Sequence, residues 1–371
     1  MKYFFLAGEA SGDLHGAALM RELKSIDADA DFCFLGGDLM LAQGGKMVRH
    51  YREMAFMGVV NVLLNLNKVA ENLKICTKAI NDYKPDVLIL IDYPGFNIRI
   101  AKYVKKNLQI PVYYYIMPKL WAWKSYRIKS IKRYVDKAFT IFPFETQYFH
   151  NLGFEVNYVG NPTVDSVEDF LQKADNKPFK SEKPVVALLA GSRKQEIKGC
   201  LKIMSSMADY FPDFQFVATA APNIDEAFYR KFLPPNIELI KDNTYSVVKN
   251  SFAAVVNSGT ATLETALLGT PQVIVYHVFG WRFAAILRKL LIHIPYISLV
   301  NLVGEKEVVK ELIMHHFTPE NLKIELAKIL YDNDLRKQIL ADYQNIRQTL
   351  GEKGTAKRAA KMINEQLTNE Q

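Results

Sequence analysis

The sequence predicts an α/β protein built on parallel sheets, and three observations lead to this prediction. Short apolar runs alternate with helix-length periodic segments along most of the 371 residues, a pattern typical of parallel sheets covered by helices on both faces. Two apolar runs end in turns of small residues, Gly8–Gly16 and Gly191–Arg193, that lead into helical segments. The chain is also long enough for two hydrophobic cores, so we expect two domains.

Apolar runs bounded by turn residues predict six strands in the first half of the chain. The first run, Met1–Gly8, is too short for a signal peptide and continues directly into Glu9 and Asp13, so we interpret it as a strand. The six strands are expected near residues 2–7, 31–36, 86–92, 111–116, 137–142 and 156–159.

The second half repeats the alternation and then becomes helical. The polar, proline-containing stretch 171–184 is typical of an exposed connection, and we place the domain boundary within residues 162–183. After about residue 305 no further strand is expected, because the apolar spacing becomes helical. Strands are expected near residues 184–190, 214–219, 237–240, 253–256 and 272–275.

Charge and cysteine usage restrict the partners and the compartment. Lys and Arg number 47 against 39 Asp and Glu, a formal net charge of +8, which favours nucleotides, nucleic acid or anionic lipid as partners. No nucleic-acid motif with interleaved aromatic residues is present, so nucleic acid is not expected. No apolar run reaches the length of a membrane span. The three widely spaced cysteines indicate a reducing cytoplasm.

Residues 252–264 predict an anion site. A buried strand breaks at Ser258 and Gly259 and restarts at Thr260 as a helix, whose free N–H groups favour a phosphate. Glu264 falls about one and a half turns into that helix, where its carboxylate can meet ligand hydroxyl groups. The turn after the strand near 184–190 adds Arg193, which can hold a diphosphate. A nucleotide sugar fits this arrangement.

Carboxylates follow two strands of the first half. The turn Gly8–Asp13 lacks the dinucleotide fingerprint and carries Glu9 and Asp13, so it would repel a pyrophosphate; alternatively, Ser11 or Asp13 only caps the next helix. Asp92 ends an apolar run at the edge where open α/β sheets bind ligands. Burial there would raise its pKa and favour proton acceptance from a substrate hydroxyl. The alternative is that Asp92 only caps the Tyr93-Pro94-Gly95 turn.

Aromatic and basic segments suggest a surface for sugar or lipid. Trp121 and Trp123 follow another strand, and their rings suit sugar faces or acyl chains, although packing under a loop is the commoner role. The basic helix expected at 124–137 is either a solvated face or a site for anionic headgroups. The segment 279–293, with aromatic, aliphatic and basic residues, suits either a membrane interface or a core helix.

Metal binding has weak support. Asp27-Ala28-Asp29 and Asp332-Asn333-Asp334 have the D-x-D form of some metal-dependent sugar transferases, but neither lies at the carboxyl end of a strand. We therefore expect no metal and no cofactor.

As an ordered set, the motifs resemble the lipid-A-disaccharide synthase family (glycosyltransferase family 19 type) over essentially the whole chain. The resemblance implies a GT-B fold, in which two Rossmann-like domains face a cleft. It also implies transfer from UDP-2,3-diacylglucosamine to 2,3-diacylglucosamine 1-phosphate, giving a β-1,6 disaccharide and UDP. The motifs are Gly8–Asp13, Met54–Gly58, Ile91–Asn97, Trp121–Trp123, Phe142–Glu145, Gly191–Arg193, Ser258–Glu264 and Asn301–Gly304.

By motif position, the resemblance implies that Asp92 is the general base of a single inverting displacement without metal. It implies acceptor-side roles for five residues, Glu9, Ser11, Asp13, Trp121 and Trp123. The residues that it implies for UDP-sugar binding are Ser192, Arg193, Ser258, Gly259, Thr260, Glu264 and Asn301. It further implies domains at 1–162 and 163–345, a C-terminal helix at 346–371 that returns to the first domain, association with the cytoplasmic face of the bacterial inner membrane, and a possible homodimer.

The chain departs from the family pattern at three positions. Tyr93 and Gly95 replace the alanine and second aspartate of Asp-Ala-Pro-Asp-Phe-Asn, and Asn161 replaces the histidine of Gly-His-Pro. Rival interpretations are another GT-B enzyme, such as a peptidoglycan-type N-acetylglucosaminyltransferase or a UDP-N-acetylglucosamine 2-epimerase, and a non-catalytic protein that binds nucleotide sugars or anionic lipids.

Overall fold

The protein is described from a computed structural model that covers residues 1–54, 66–122, 125–173, 179, 181–277 and 295–369. The chain divides into two compact units. The first combines Met1–Pro162 with Lys353–Gln371, and the second is Thr163–Glu352.

The first unit contains a seven-stranded sheet in which all described neighbours are parallel. Its order is β3-β2-β1-β4-β5-β6-β7. The strands are β1 (Lys2–Ala7), β2 (Asp31–Gly36), β3 (Lys46–His50), β4 (Val87–Ile91), β5 (Val112–Tyr115), β6 (Lys137–Thr140) and β7 (Asn157–Tyr158).

Helices connect these strands, and the last helix of the chain returns to them. The helices before the second unit are α1 (Ala10–Ile26), α2 (Asp38–Leu41), α3 (Leu66–Tyr83), α4 (Pro94–Asn107), α5 (Ile128–Tyr134) and α6 (Pro143–Asn151). The returning helix, Thr355–Asn369, packs on α1, and its Ala359, Ala360, Ile363 and Leu367 join the core that covers one face of the sheet.

The second unit contains a six-stranded parallel sheet of order β10-β9-β8-β11-β12-β13. Its strands are β8 (Val185–Leu189), β9 (Gln215–Ala220), β10 (Glu238–Lys241), β11 (Ala253–Asn257), β12 (Gln272–Tyr276) and β13 (Glu311–Ile313). The helices are α7 (Pro162–Gln172), α8 (Lys194–Ser205), α9 (Glu226–Arg230), α10 (Thr244–Lys249), α11 (Thr260–Leu267), α12 (Leu299–Val303), α13 (Pro319–Tyr331) and α14 (Asn333–Leu350), so the returning helix is α15.

The eleven predicted strands are present, and two further strands were not predicted. β3 and β13 lie at sheet edges; β3 has no buried residue and β13 has one. Edge strands lack the continuous apolar run that marks a strand buried on both faces. The expectation that strands end before residue 305 is therefore wrong. The central strands behave as the pattern predicts, since every residue of β4 is buried.

No helix within the described ranges is both long enough and apolar enough to cross a bilayer. The segment 279–293, proposed from sequence as an interface or core helix, lies outside the described residues. The basic helix is present in its described part, where Ile131 and Val135 are buried and Lys129, Lys132 and Arg133 are exposed.

Candidate active site

The two carboxylate-bearing segments of the first unit meet at one edge of its sheet. β1 and β4 are hydrogen-bonded neighbours, with Ala7 opposite Ile91, and the strand order runs outward in both directions from this pair. Open α/β sheets bind ligands at such a switch point, beyond the carboxyl ends of the strands. The structure therefore brings Gly8–Asp13 and Asp92 together at the edge where a ligand is expected.

Asp92 begins a left-handed turn that its neighbours hold in place. Asp92 has φ 40° and Tyr93 has φ 44°, a conformation that costs about 1–2 kcal/mol per residue when a Cβ is present. The Tyr114 hydroxyl donates a 2.6 Å hydrogen bond to the Asp92 carbonyl, and Asn97 Nδ2 donates another of 2.8 Å. Strained residues persist where surrounding contacts over-determine them, commonly at functional sites.

The electrostatics of the Asp92 carboxyl suit proton acceptance. Burial raises the pKa of Asp92, while the charge of Lys119 and the backbone N–H of Tyr93 lower it. The expected direction of the pKa shift is confirmed. The alternative, a cap of the Tyr93-Pro94-Gly95 turn, is limited to this contact with the Tyr93 N–H, since α4, which begins at Pro94, has no side-chain cap. A carboxylate with a raised pKa is a better proton acceptor for a sugar hydroxyl.

Tyr93 departs from the family pattern, and its ring packs against Gly8 at the carboxyl end of β1. Its ring lies so close to Gly8 that an added Cβ there would stand 2.2 Å from the ring, so only glycine fits. The Tyr93 hydroxyl donates a 3.0 Å hydrogen bond to the Met54 carbonyl. Asn161, another position that departs from the family pattern, is buried and donates from Nδ2 to the Ile141 carbonyl at 2.8 Å.

The predicted acceptor-side residues of α1 have different environments. Glu9 occupies the N-cap position and is partly buried, and Ser11 is exposed. Asp13 is 3% exposed and accepts hydrogen bonds from the backbone N–H groups of Gly37, Leu39 and Met40. The alternative in which Ser11 or Asp13 caps α1 is wrong, because Asp13 instead caps α2. Asp13 therefore shapes the loop beside the switch point.

Trp121 is anchored by a residue that the sequence interpretation did not include among the site residues. Its Nε1 donates a 2.8 Å hydrogen bond to Glu145, which is 1% exposed. The other carboxylate oxygen of Glu145 accepts from the N–H groups of Ile141 and Phe142. Burial raises the pKa of Glu145 to about 7 against these donors and Lys119. Trp123 lies outside the described residues.

In the second unit the corresponding switch point lies between β8 and β11. Arg193 follows β8 in an exposed turn, where its guanidinium pairs with Glu196 at 3.0 Å. The Glu196 carboxylate also accepts from the N–H groups of Ser192 and Arg193. Gly191 has φ 106° and its missing Cβ would meet Glu196. These contacts set the turn and leave the Arg193 side chain 67% exposed to a ligand.

The anion site predicted at α11 has the expected form. Gly259 is the N-cap and provides no side chain, and Gly259 and Thr260 are exposed. Such a helix end offers N–H groups and a positive dipole end to an anion. Ser258 is partly buried and its hydroxyl donates weakly, at 3.4 Å, to the Ile297 carbonyl.

Glu264 is positioned by a tyrosine from α10. The Tyr245 hydroxyl donates a 2.8 Å hydrogen bond to Glu264 Oε1. Burial raises the pKa of Glu264, and this hydrogen bond lowers it. The carboxylate lies about one and a half turns inside α11, as expected, and its contact with ligand hydroxyl groups stays a prediction.

The Asn301 side chain, predicted to bind UDP, is engaged by contacts within the second unit. Its side chain is fully buried, its Oδ1 accepts from the N–H groups of Val308 and Val309, and its Nδ2 donates to the Val309 carbonyl and to Glu311. These four bonds use the whole hydrogen-bonding capacity of the amide. These bonds hold the loop 304–311 and leave the side chain no free hydrogen-bonding group for UDP.

The two D-x-D segments are also structural. Asp27 binds the N-terminal ammonium group at 2.9 Å and accepts from the Tyr3 hydroxyl. Asp332 caps α14 through the N–H groups of Asp334 and Leu335. Among the described residues no cluster of three or more potential metal ligands occurs.

Fold and site together define a class of protein. The chain has two Rossmann-like units. One carries carboxylates at its switch point, and the other carries an arginine and an uncapped helix end. This is the architecture of GT-B nucleotide-sugar enzymes. Solved structures share the fold. A UDP-GlcNAc 2-epimerase from Neisseria meningitidis superposes with a TM-score of 0.69 at 16% identity over 100% of both chains. A calicheamicin glycosyltransferase gives 0.61 at 16% identity over 99% of this chain and 98% of its own.

Sequence comparison identifies the family within this class. The model of the family described as lipid-A-disaccharide synthetase matches residues 3–366. The lipid-A-disaccharide synthase of Syntrophus aciditrophicus (strain SB) is 37% identical over 368 residues, which cover 96% of this chain and 95% of the relative. The chain belongs to the lipid-A-disaccharide synthase family, as the motifs indicate.

Proposed function

We propose that this protein transfers 2,3-diacylglucosamine from UDP-2,3-diacylglucosamine to the 6-hydroxyl of 2,3-diacylglucosamine 1-phosphate. The products are the β-1,6 disaccharide 1-phosphate and UDP. Family membership supports the reaction. The observation that carries the mechanism is the strained, partly buried Asp92 at the switch point of the first sheet.

Asp92 acts as the general base. As the 6-hydroxyl oxygen of the acceptor forms its bond to the anomeric carbon, the hydroxyl proton passes to the Asp92 carboxylate. The bond between that carbon and the UDP oxygen breaks in the same displacement, so the configuration inverts. Burial favours the protonated product form of Asp92.

The second unit binds UDP and accepts the charge that develops on it. The exposed Arg193 side chain can form paired hydrogen bonds to the diphosphate. The N–H groups at Gly259 and Thr260 add the helix dipole. Ser192 and Ser258 follow β8 and β11 at the same edge, and we assign to Glu264 the hydrogen bonds with sugar or ribose hydroxyl groups. This arrangement stabilises the departing UDP without a metal ion.

The solved structures of similar fold do not distinguish a transferase from an epimerase, since identities near 16% show the fold alone. The acceptor-side edge of the first unit favours transfer, because an epimerase needs no second sugar. A non-catalytic binding protein would be unaffected by the loss of Asp92 as a base.

The deciding experiment is a transfer assay with purified protein, EDTA, UDP-2,3-diacylglucosamine and 2,3-diacylglucosamine 1-phosphate. We expect equimolar UDP and disaccharide 1-phosphate by mass spectrometry. A 2-epimerised sugar, either still joined to UDP or released from it, with no disaccharide would instead establish the epimerase. Activity that appears only after Mg²⁺ addition would contradict the metal-free mechanism.

We further propose peripheral association with the cytoplasmic face of the inner membrane through the basic face of α5. Ile131 is buried there while Lys129, Lys132 and Arg133 point to solvent, and such faces attract anionic headgroups. Sedimentation with anionic vesicles, and loss of binding in a Lys129→Gln/Lys132→Gln variant, tests this. A homodimer stays a prediction, and analytical ultracentrifugation of the purified protein tests it.

A further inference from the structure

A buried asparagine lies between the two segments of the second unit that are proposed to bind the diphosphate. Asn257 is the last residue of β11 and is only 4% exposed. It stands two residues before Gly259, the N-cap of α11. A Cβ placed on Gly191 would lie 2.9 Å from Asn257 Nδ2, and Gly191 stands two residues before Arg193. Asn257 therefore adjoins both the Arg193 turn and the start of α11.

The amide of Asn257 is oriented by a cysteine from α8. The buried thiol of Cys200 donates to Asn257 Oδ1 at 3.4 Å. Because Oδ1 is turned toward α8, Nδ2 lies on the other side of the amide, beside Gly191. The last paired residues of β11 and β8 are Val256 and Leu189, and both Asn257 and Gly191 lie beyond this pair. The donor thus lies at the carboxyl edge of the sheet, where open α/β sheets bind ligands.

The Nδ2 group of Asn257 has no acceptor in the part of the chain that the structure describes. The one hydrogen bond of this side chain there is the bond that Oδ1 accepts from Cys200. The neighbouring carboxylate is already engaged, because Glu196 accepts from the N–H groups of Ser192 and Arg193 and pairs with the Arg193 guanidinium. Buried donors are nearly always paired with protein, water or a ligand. A ligand oxygen at this switch point would complete the pairing.

We propose that Asn257 Nδ2 donates a hydrogen bond to the diphosphate of UDP. The proposal rests on the proposed function and adds a ligand to its donor site. A diphosphate that contacts both Arg193 and the first N–H groups of α11 lies against the two segments that Asn257 adjoins. Hydrogen bonds to a charged acceptor are stronger than bonds between neutral groups. The bond also favours transfer, because the UDP oxygen gains negative charge as its bond to the anomeric carbon breaks.

The test compares a ligand that has the diphosphate with one that lacks it. Kd is measured for UDP by calorimetry and for uridine by NMR titration, in wild type and in Asn257→Leu, which keeps a side chain of similar size and removes the donor. We expect the Kd for UDP to rise about tenfold, as expected for loss of one hydrogen bond to a charged group. The Kd for uridine should change by less than about twofold. If Asn257→Leu lowers the urea midpoint, Asn257→Ala decides in its place.

Thr270→Val is the matched control, because it also removes a buried donor from the second unit. The Thr270 hydroxyl donates to the Val248 carbonyl at 2.7 Å, and Thr270 stands two residues before the start of β12, at the amino edge of the sheet. We expect Thr270→Val to lower the urea midpoint and to leave both Kd values unchanged. An equal rise in the UDP Kd of Thr270→Val and Asn257→Leu would assign the effect to stability and overturn the contact.

Two results with Asn257→Leu itself would also overturn the proposal. An unchanged Kd for UDP would show that Nδ2 does not bind this ligand. Equal rises for UDP and uridine would place the contact at the base or the ribose rather than at the diphosphate.

Equilibrium binding separates this proposal from the proposed reaction, because it requires no turnover. A loss of affinity in Asn257→Leu that is confined to UDP supports the contact even if wild type forms no disaccharide. Conversely, disaccharide formation by wild type together with full UDP affinity in Asn257→Leu would leave the proposed function intact and contradict the contact alone.

Discussion

At the residue scale, the geometry of Asp92 depends on side chains from two other elements. Tyr114 of β5 and Asn97 of α4 both donate to its carbonyl, which keeps two successive left-handed residues in place. A general base works only within hydrogen-bond reach of the proton it accepts. The orientation of Asp92 is therefore built from buried polar contacts as well as from its strand.

Tyr114→Phe removes one of these contacts. We expect a loss of about 1–2 kcal/mol in the free energy of unfolding and a fall in kcat of about tenfold through misplacement of Asp92. Urea unfolding and saturating kinetics measure the two effects. Tyr343→Phe, at a buried hydroxyl in the second unit that hydrogen-bonds Gln272, should cost similar stability with full kcat. Equal kcat losses in both variants would show that stability alone explains the effect.

Arg193→Ala should weaken UDP binding about tenfold and slow transfer, because a charged hydrogen-bond donor to the diphosphate is lost. Its side chain is 67% exposed and its ion pair with Glu196 is a surface pair, so we expect little change in folding stability. Calorimetric titration with UDP measures the effect. Unaltered UDP affinity would remove Arg193 from the donor site, whereas recovery in Arg193→Lys would assign the role to charge alone.

At the element scale, Glu145 joins the loops that follow β5 and β6. It binds Trp121 from one loop and the N–H groups of Ile141 and Phe142 in the other. Phe142 lies three residues before Glu145, so this contact is local and has the spacing of a capping box, although phenylalanine is not a capping residue. The contact with Trp121 spans 24 residues and depends on β5 pairing with β6.

Glu145 also makes stability depend on pH. Burial raises its folded pKa to about 7 from the ordinary 4.5, so the folded chain binds more protons than the unfolded chain between these values. The free energy of unfolding should therefore fall as pH rises from about 4.5 to 7, by up to about 3 kcal/mol from this residue. Urea unfolding of wild type and Glu145→Gln at pH 5, 6, 7 and 8 tests this. A constant difference between them across the series would contradict it.

Elements buried on both faces were predictable, and long-range polar contacts were not. β1 and β4 are continuous apolar runs, so their carboxyl ends and Asp92 could be placed from sequence. Asp13 and Asn301 illustrate the limit. Asp13 binds N–H groups 24 to 27 residues away, and Asn301 is fully buried, yet polar residues in a motif look alike whether they contact a ligand or a loop. The role of Glu145 likewise could not be predicted, because it depends on a contact with Trp121, 24 residues away.

At the scale of the whole molecule, one arginine hydrogen-bonds both segments of the first unit that lead to or from the second unit. The chain leaves the first unit after Pro162 and returns at Lys353. Arg358 of α15 donates from Nε to the Val159 carbonyl at 2.9 Å and from Nη1 to the Lys353 carbonyl at 3.0 Å. Gly160 has φ 96°, and a Cβ there would overlap the guanidinium. The C-terminal segment is thus part of the first unit.

Ile363→Ala should destabilise the first unit by about 2–4 kcal/mol, because Ile363 is fully buried in its core and truncation leaves a cavity. Urea unfolding followed by tryptophan fluorescence measures the change, since two of the three tryptophans, Trp121 and Trp123, belong to the first unit. Lys361→Ala, on the exposed face of the same helix, should stay within about 0.5 kcal/mol of wild type. Equal stabilities of Ile363→Ala and wild type would show that α15 does not contribute to the core.

The most direct test of the mechanism is to compare kcat and UDP affinity in wild type and Asp92→Asn. Asparagine has nearly the same shape and adopts the left-handed conformation readily, so the turn is preserved while the base is lost. We predict a fall in kcat of about two to four orders of magnitude with an unchanged Kd for UDP. Wild-type turnover in Asp92→Asn would contradict the assignment of Asp92 as the general base.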